Sequence, residues 1–159
     1  MDQLPSTPKS TRKVLNGKNF KPQYLTYARG KRHMIVTCGK PYGVVRGMLK
    51  KWKKVGIVSC NSCARVCETG GKEKMEELAA RLKADGFDVV DTELVPMACA
   101  VDAVKKPDYK ADYLVVLACE SGVCTLQSLF PNKTVIPAND TVGLGARDVQ
   151  GNLFIMRKF

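Results

Sequence analysis

Three short apolar runs dominate the folding problem this chain poses: "VGIVS" at 55–59, "DYLVVLA" at 112–118 and "KTVIPAN" at 133–139. Each is too short for a core helix and far below the roughly 18 apolar residues that a membrane span needs. Each lacks the apolar–polar alternation of a strand wetted on one face. Such runs are strands buried on both sides, which parallel sheets contain. A fourth strand is expected within "FDVVDTELVP" at 87–96.

Helical signals separate these strands. "GGKEKMEELAARLKADG" sets Met75, Leu78, Ala79 and Leu82 on one stripe opposite Glu and Lys, and Gly86 ends it. "SGVCTLQSLF" at 121–130 is a further helix, and "AVDAVKK" at 100–106 a short helical candidate. In "YGVVRGMLKKWKK" at 42–54, Val45, Met48, Leu49 and Trp52 fall at i, i+3, i+4 and i+7, the pattern of an amphipathic helix. "MIVTC" at 34–38 reads as an edge strand or entry segment, and "DTVGLGARDVQGNLFIMRKF" as loop plus an apolar tail. Strands alternating with helices predict an α/β fold. The expected form is an open parallel sheet of about four strands with helices on both faces, a flavodoxin-like three-layer sandwich. Right-handed crossovers would then set the runs at 55–59 and 112–118 side by side.

Charge divides the chain. Residues 1–54 hold 14 Lys or Arg against the single Asp2, a net +13, and residues 55–159 hold 12 against 14, a net −2, which together make the overall +11. Residues 1–33 show no apolar period and contain Pro5, Pro8 and Pro22, so they read as a basic extended arm that orders on contact. The expected organisation is this arm, a cysteine-rich α/β domain at 34–145 and a tail at 146–159. A basic arm suits an acidic partner or a solubilising role. It carries no RNA or DNA motif, so nucleic acid is not the expected partner. No apolar segment resembles a secretory signal or a membrane span, which makes the cytoplasm the expected location.

Seven cysteines, an odd number, in a chain with no secretion signal point to reduced thiols and to metal or redox chemistry where they cluster. Cys60 ends the first buried strand, Cys99 follows the second, and Cys119 ends the third. Cys63 and Cys67 lie just after Cys60 in "IVSCNSCARVCETGG". Carboxyl ends of parallel strands share one rim, so these five thiols are expected to converge where open α/β sheets bind ligands. Backbone N–H groups at strand-to-helix turns stabilise thiolates there. Thiolate ligands without histidine suit an iron–sulfur cluster or a tetrahedral zinc ion. Three strand ends around one rim favour the broader cluster, with zinc as the alternative. Cys38 and Cys124 read as small core hydrophobes and His33 as a surface residue. Gly70 and Gly71 fall short of a dinucleotide fingerprint. No cysteine or serine has a histidine base, no carboxylate pair stands out, and Asp102 and Asp140 read as solvated caps.

"MIVT", "KPYGVVRGMLKKWKKVGIVSCNSCARVCETGGKEKMEELAARL", "LACESGV" and "TVIPANDTVGLG" together resemble the methylenetetrahydrofolate reductase C-terminal domain family over about residues 34–145. The most specific elements are C-x2-C-x3-C-x2-GG, the lone Cys99 before the third strand, and the AC-x2-GV turn at Cys119. The resemblance implies an iron–sulfur electron-transfer subunit holding one four-iron four-sulfur cluster. It also implies a flavoprotein reductase partner, a TIM-barrel subunit that carries the flavin and reduces methylenetetrahydrofolate. Further electron-transfer subunits are candidate partners of the basic arm. By matched position Cys60, Cys63, Cys67, Cys99 and Cys119 are the family's cysteines. Cys60, Cys63, Cys99 and Cys119 are the favoured ligands, and Cys67 is the reserve. The family usually has Gly where this chain has Glu120 and a polar uncharged residue at Cys124. Many members also carry a cysteine-rich C-terminal extension that residues 146–159 lack, so one cluster is expected.

Overall fold

A computed structural model describes residues 33–104, 108–148 and 150–159. The expected basic arm, apart from His33, lies outside the described residues. Contacts divide the chain into two compact units, one of them Ile35–Val142 and the other including Gly143–Phe159.

Within the larger unit the chain runs β1 (Met34–Gly39, its first residue outside the unit), α1 (Tyr42–Gly47), β2 (Val55–Cys60), α2 (Cys63–Val66), α3 (Gly71–Ala84) and β3 (Val89–Val95). A 3-10 turn (Val101–Ala103), β4 (Tyr113–Leu117), α4 (Glu120–Leu129) and β5 (Thr134–Pro137) complete it. Strands β2 to β5 form a four-stranded sheet in the order β3-β2-β4-β5. Every neighbouring pair in it is parallel. The first and third of these strands are adjacent, as right-handed crossovers require. A smaller sheet has the order β1-β6-β7, with β6 at Asn139–Arg147 and β7 at Leu153–Lys158.

The apolar runs are buried on both sides for a visible reason. Val55, Ile57, Tyr113, Val115 and Leu117 pack with Met75, Ala79 and Leu82 of α3 and with Val45 and Leu49. The alternate residues Val58, Cys60, Leu114 and Val116 pack with Val123, Leu126 and Phe130 at the other helix. Neighbouring side chains on one strand thus enter two different cores. All six residues of β2 and all five of β4 are buried. The α3 stripe is as expected, except that Leu78 is only half-buried. Gly86, at φ +83, follows its end.

Four expectations are corrected. The helix read across 42–54 stops at Gly47, after two glycines in six residues. It buries Val45 and Leu49 but leaves Met48 39% and Trp52 77% exposed. The stripe is real in sequence, yet glycine lowers helix propensity and the lysine run that follows has no helical partner to pack on. The described part of the segment at 100–106, up to Val104, holds one 3-10 turn at Val101–Ala103. The loop and tail after residue 139 are instead β6 and β7, paired antiparallel from Gly143↔Lys158 to Arg147↔Leu153. Cys124 is exposed rather than packed in the core, because α4 turns Gly122, Val123 and Leu126 inward. No helix among the described residues is long and apolar enough to cross a membrane.

The split stripe is directly testable. Leu49→Ala should lower unfolding free energy by about 2–5 kcal/mol, the cost of a buried Leu truncation. Met48→Ala should change it by less than about 0.5 kcal/mol, as at an ordinary surface site. Urea unfolding of the two variants decides between this split and a continuous amphipathic helix.

Candidate thiol site at the carboxyl rim

Strand register levels the rim. Cys60 stands opposite Val95 of β3, and Ser59 stands opposite Leu117 of β4. Three neighbouring strands therefore end within about two residues of one another, and each is followed by a cysteine. Cys60 is the last residue of β2, Cys119 lies two residues past β4 at the N-cap of α4, and Cys99 lies four past β3. Cys63 opens α2. All seven cysteines are free thiols.

The electrostatics tie four of them together. The Cys99 thiol is pushed above its ordinary pKa, first by desolvation around the sulfur and then by the Cys119, Cys60 and Cys63 thiols. The Cys119 thiol is likewise raised, by burial first, while the N–H groups of Gly122 and Ser121 pull the other way and Cys63 and Cys60 add to the rise. The Cys60 and Cys63 thiols thus act on both Cys99 and Cys119, close enough for negative forms to repel. Cys60 and Cys119 are buried, Cys63 is intermediate and Cys99 is exposed, so this thiol group opens on the Cys99 side. Cys67 turns elsewhere. Its Sγ donates to the Ile35 carbonyl on β1 at 3.7 Å.

Several groups that the sequence pattern did not single out shape the site. The Ala98 N–H points at Cys60 Sγ, 3.5 Å away. The Glu120 N–H, at the start of α4, donates to Thr141 Oγ1 at 2.9 Å. Thr125 Oγ1 donates to the Cys99 carbonyl at 3.4 Å. Only Gly122 left a trace in the sequence, as the glycine one turn into a helix that begins at a cysteine. A Cβ there would lie 2.9 Å from the Cβ atoms of both Ala118 and Ala98, so glycine lets the Cys99 loop close on the helix. Gly70 works in the same way on the other side. Its Cβ would meet Ala64 Cβ at 2.7 Å, the Leu117 carbonyl at 2.9 Å and the Cys60 carbonyl at 3.1 Å. The double glycine of the motif thus seats α3 against the strand ends. Thr69 is held at that turn by Thr37 at 2.6 Å and by Asn139 Nδ2, which donates to its carbonyl at 3.2 Å.

Of the carboxylates near the rim, Asp140 pairs with Lys40 and Asp102 is exposed in the 3-10 turn. A cleft of about 230 Å³ on the α3 side is lined by Lys40, Glu68, Lys74, Glu77, Arg81 and Asn139 among others. Its charges largely neutralise one another, with Lys74 on Glu77 at 2.8 Å.

The donor chemistry of Cys60, Cys63, Cys99 and Cys119 fits a thiolate-ligated metal group: all sulfur, fed from rigid strand ends, with backbone N–H groups turned toward Cys60 and Cys119. Among the described residues, no three His, Cys, Asp or Glu side chains already stand as a metal-ion site. Compared with known proteins, the chain matches no family model, no curated protein and no solved structure.

Two expectations follow. In reduced, metal-free protein the folded state holds the Cys99 and Cys119 protons to higher pH than the unfolded chain does. Stability is therefore full below the ordinary thiol pKa of about 8.5 and falls as pH rises beyond it. Urea midpoints measured from pH 7 to 10 should decline, and should decline less in Cys99→Ser. Gly122→Ala should push the Cys99 loop outward, at about 1–3 kcal/mol for overpacking. Faster alkylation of Cys99 in a timed iodoacetamide digest would report that movement.

Proposed function

We propose that this chain is a non-catalytic electron-transfer subunit of an oxidoreductase. In this reading Cys60, Cys63, Cys99 and Cys119 hold one four-iron four-sulfur cluster. The observation that carries it is the placement of Cys60, Cys99 and Cys119 at or shortly after the ends of three adjacent parallel strands, with the Cys60 and Cys63 thiols raising the pKa of both Cys99 and Cys119. The strand order β3-β2-β4-β5 supports a flavodoxin-like sandwich, in which the rim is the ligand-binding edge. Cys67 is left out because its sulfur is engaged by the Ile35 carbonyl.

A bound cluster supplies one-electron storage. The chain's own part is to hold and tune it. Strand ends fix three of the thiolates and the first residue of α2 the fourth. N–H groups of Ala98, Ser121 and Gly122 lower the cost of negative charge on sulfur, which raises the potential of a thiolate-ligated centre. Burial of Cys60 and Cys119 keeps one side dry, and Cys99 marks the side nearest solvent, where electrons enter or leave. The partner is a flavoprotein of the TIM-barrel methylenetetrahydrofolate reductase type, which keeps the flavin and the substrate. The cysteine-rich unit of about 34–145 receives it, the basic arm of residues 1–33 assists docking, and the site of action is the cytoplasm.

Purification under anaerobic conditions tests this. The expected protein is brown and contains about four irons and matching acid-labile sulfide per chain. Cys60→Ser, Cys63→Ser, Cys99→Ser and Cys119→Ser should each drop iron to a small fraction of the parent, and Cys67→Ser should retain it. Zinc in place of iron would replace electron transfer with a structural, zinc-stabilised interaction module. Loss of iron in Cys67→Ser with retention in Cys63→Ser would reassign the fourth ligand.

A further inference from the structure

On α1 and along the segment that leads from it to the start of β2, the fold exposes apolar side chains, Met48 and Trp52 of the expected stripe among them. Val44 is 50%, Met48 39% and Trp52 77% exposed. These three lie at i, i+4 and i+8, on α1 and the turn that follows it. Lysines surround them: Lys50, Lys51 and Lys54 are all exposed, and Lys50 Nζ sits 5.7 Å from the centre of the Trp52 ring. The nearby carboxylates are taken by other cations. Asp85 accepts Arg46 at 2.6 Å and the Tyr42 hydroxyl at 2.8 Å. Asp112 accepts the Lys54 N–H at 3.0 Å and faces Lys53 at 3.9 Å. Among the described residues no ion pair engages Lys50, Lys51 or Lys54.

We infer that this segment is a docking surface for an anionic lipid bilayer, touched at its headgroup level. Val44, Met48 and Trp52 are each exposed, the Lys50 ammonium group adjoins the ring, and Lys51 and Lys54 are in no ion pair among the described residues. That combination matches a headgroup boundary, where tryptophan sits between hydrocarbon and water and lysine stems extend toward phosphate. A nucleic acid would stack on Trp52 and take the lysines, but would leave Val44 and Met48 without a partner. Because β2 starts at Lys54's neighbour and ends at Cys60, a chain seated by this segment keeps its thiol rim on the far end of the sheet from the lipid.

Trp52 is the single tryptophan of the chain, so its fluorescence reads this surface alone. The full chain is mixed with vesicles of phosphatidylcholine containing one quarter phosphatidylglycerol, and with vesicles of phosphatidylcholine alone. Trp52 emission should move to shorter wavelength with the anionic vesicles only, brominated lipid should quench it, and salt should reverse it. The triple variant Lys50→Gln, Lys51→Gln, Lys54→Gln should bind the anionic vesicles roughly 100-fold more weakly. Its urea midpoint should equal the parent's, since all three side chains are exposed. Co-sedimentation with unchanged Trp52 emission would assign the binding to residues 1–33 and overturn the inference. Quenching of Trp52 by polyuridylate without any response to vesicles would overturn it in favour of nucleic acid.

Discussion

The parallel pairing of β2 with β3 on one side and β4 on the other is the constraint on which the rest depends. β2 is buried along its whole length, so it can neither slip nor fray without exposing valine, isoleucine and backbone together. A one-residue shift against either neighbour would also exchange the side chains that enter the two cores. The register is therefore fixed by packing, and level strand ends follow from it. The cysteines do not create this rim. They occupy positions that the hydrophobic core has already set.

That ordering explains how much could be read from residues alone. The buried strands and α3 were legible because their patterns serve one dominant force, burial against a sheet. The placement of Cys60, Cys99 and Cys119 at or shortly after the carboxyl ends of β2, β3 and β4 was legible because parallel topology sends every carboxyl end to one edge. Three features were not. Val45, Met48, Leu49 and Trp52 have helical spacing, but Gly43 and Gly47 end the helix before the stripe is complete. The β6–β7 hairpin was hidden by its glycines: Gly143 and Gly145 interrupt the alternation that marks a strand, although "DVQGN" is a plain turn. Cys124 looked like core because it lies in an apolar helix, and only the facing of Val123 and Leu126 toward β4 shows it turned outward. The backbone donors at Ala98 and Ser121 leave no signal in side-chain identity at all.

The two edges of the main sheet are chemically unlike. The carboxyl edge gathers thiols that resist ionising near one another, offset by backbone N–H groups. The amino edge carries unpaired ammonium groups around an exposed indole. Lys54, next to the start of β2, is thus about a strand length from Cys60 at its end, roughly 20 Å at about 3.3 Å per residue. At that distance water and salt screen most of its influence, so the lysines of the amino edge do little to ease thiolate formation at the rim. The local N–H groups carry that task.

The graded exposure of the thiols has a consequence for the order of events in the life of the chain. The two hydrophobic cores are built from the chain's own side chains, and the thiols at the rim differ in how far they are exposed. Cys60 and Cys119 are buried, Cys63 is intermediate and Cys99 is exposed. In the proposed role these four thiols would line a cup, and a group arriving from solvent would pass Cys99, which would be the last ligand to engage during loading and the first to let go. Exposure leaves Cys99 open to oxidants, while its raised pKa keeps less of it as the reactive thiolate. Sulfenic acid at Cys99 would close the cup to loading while leaving the fold intact, so that an accident of redox chemistry would appear as a failure of maturation rather than of stability.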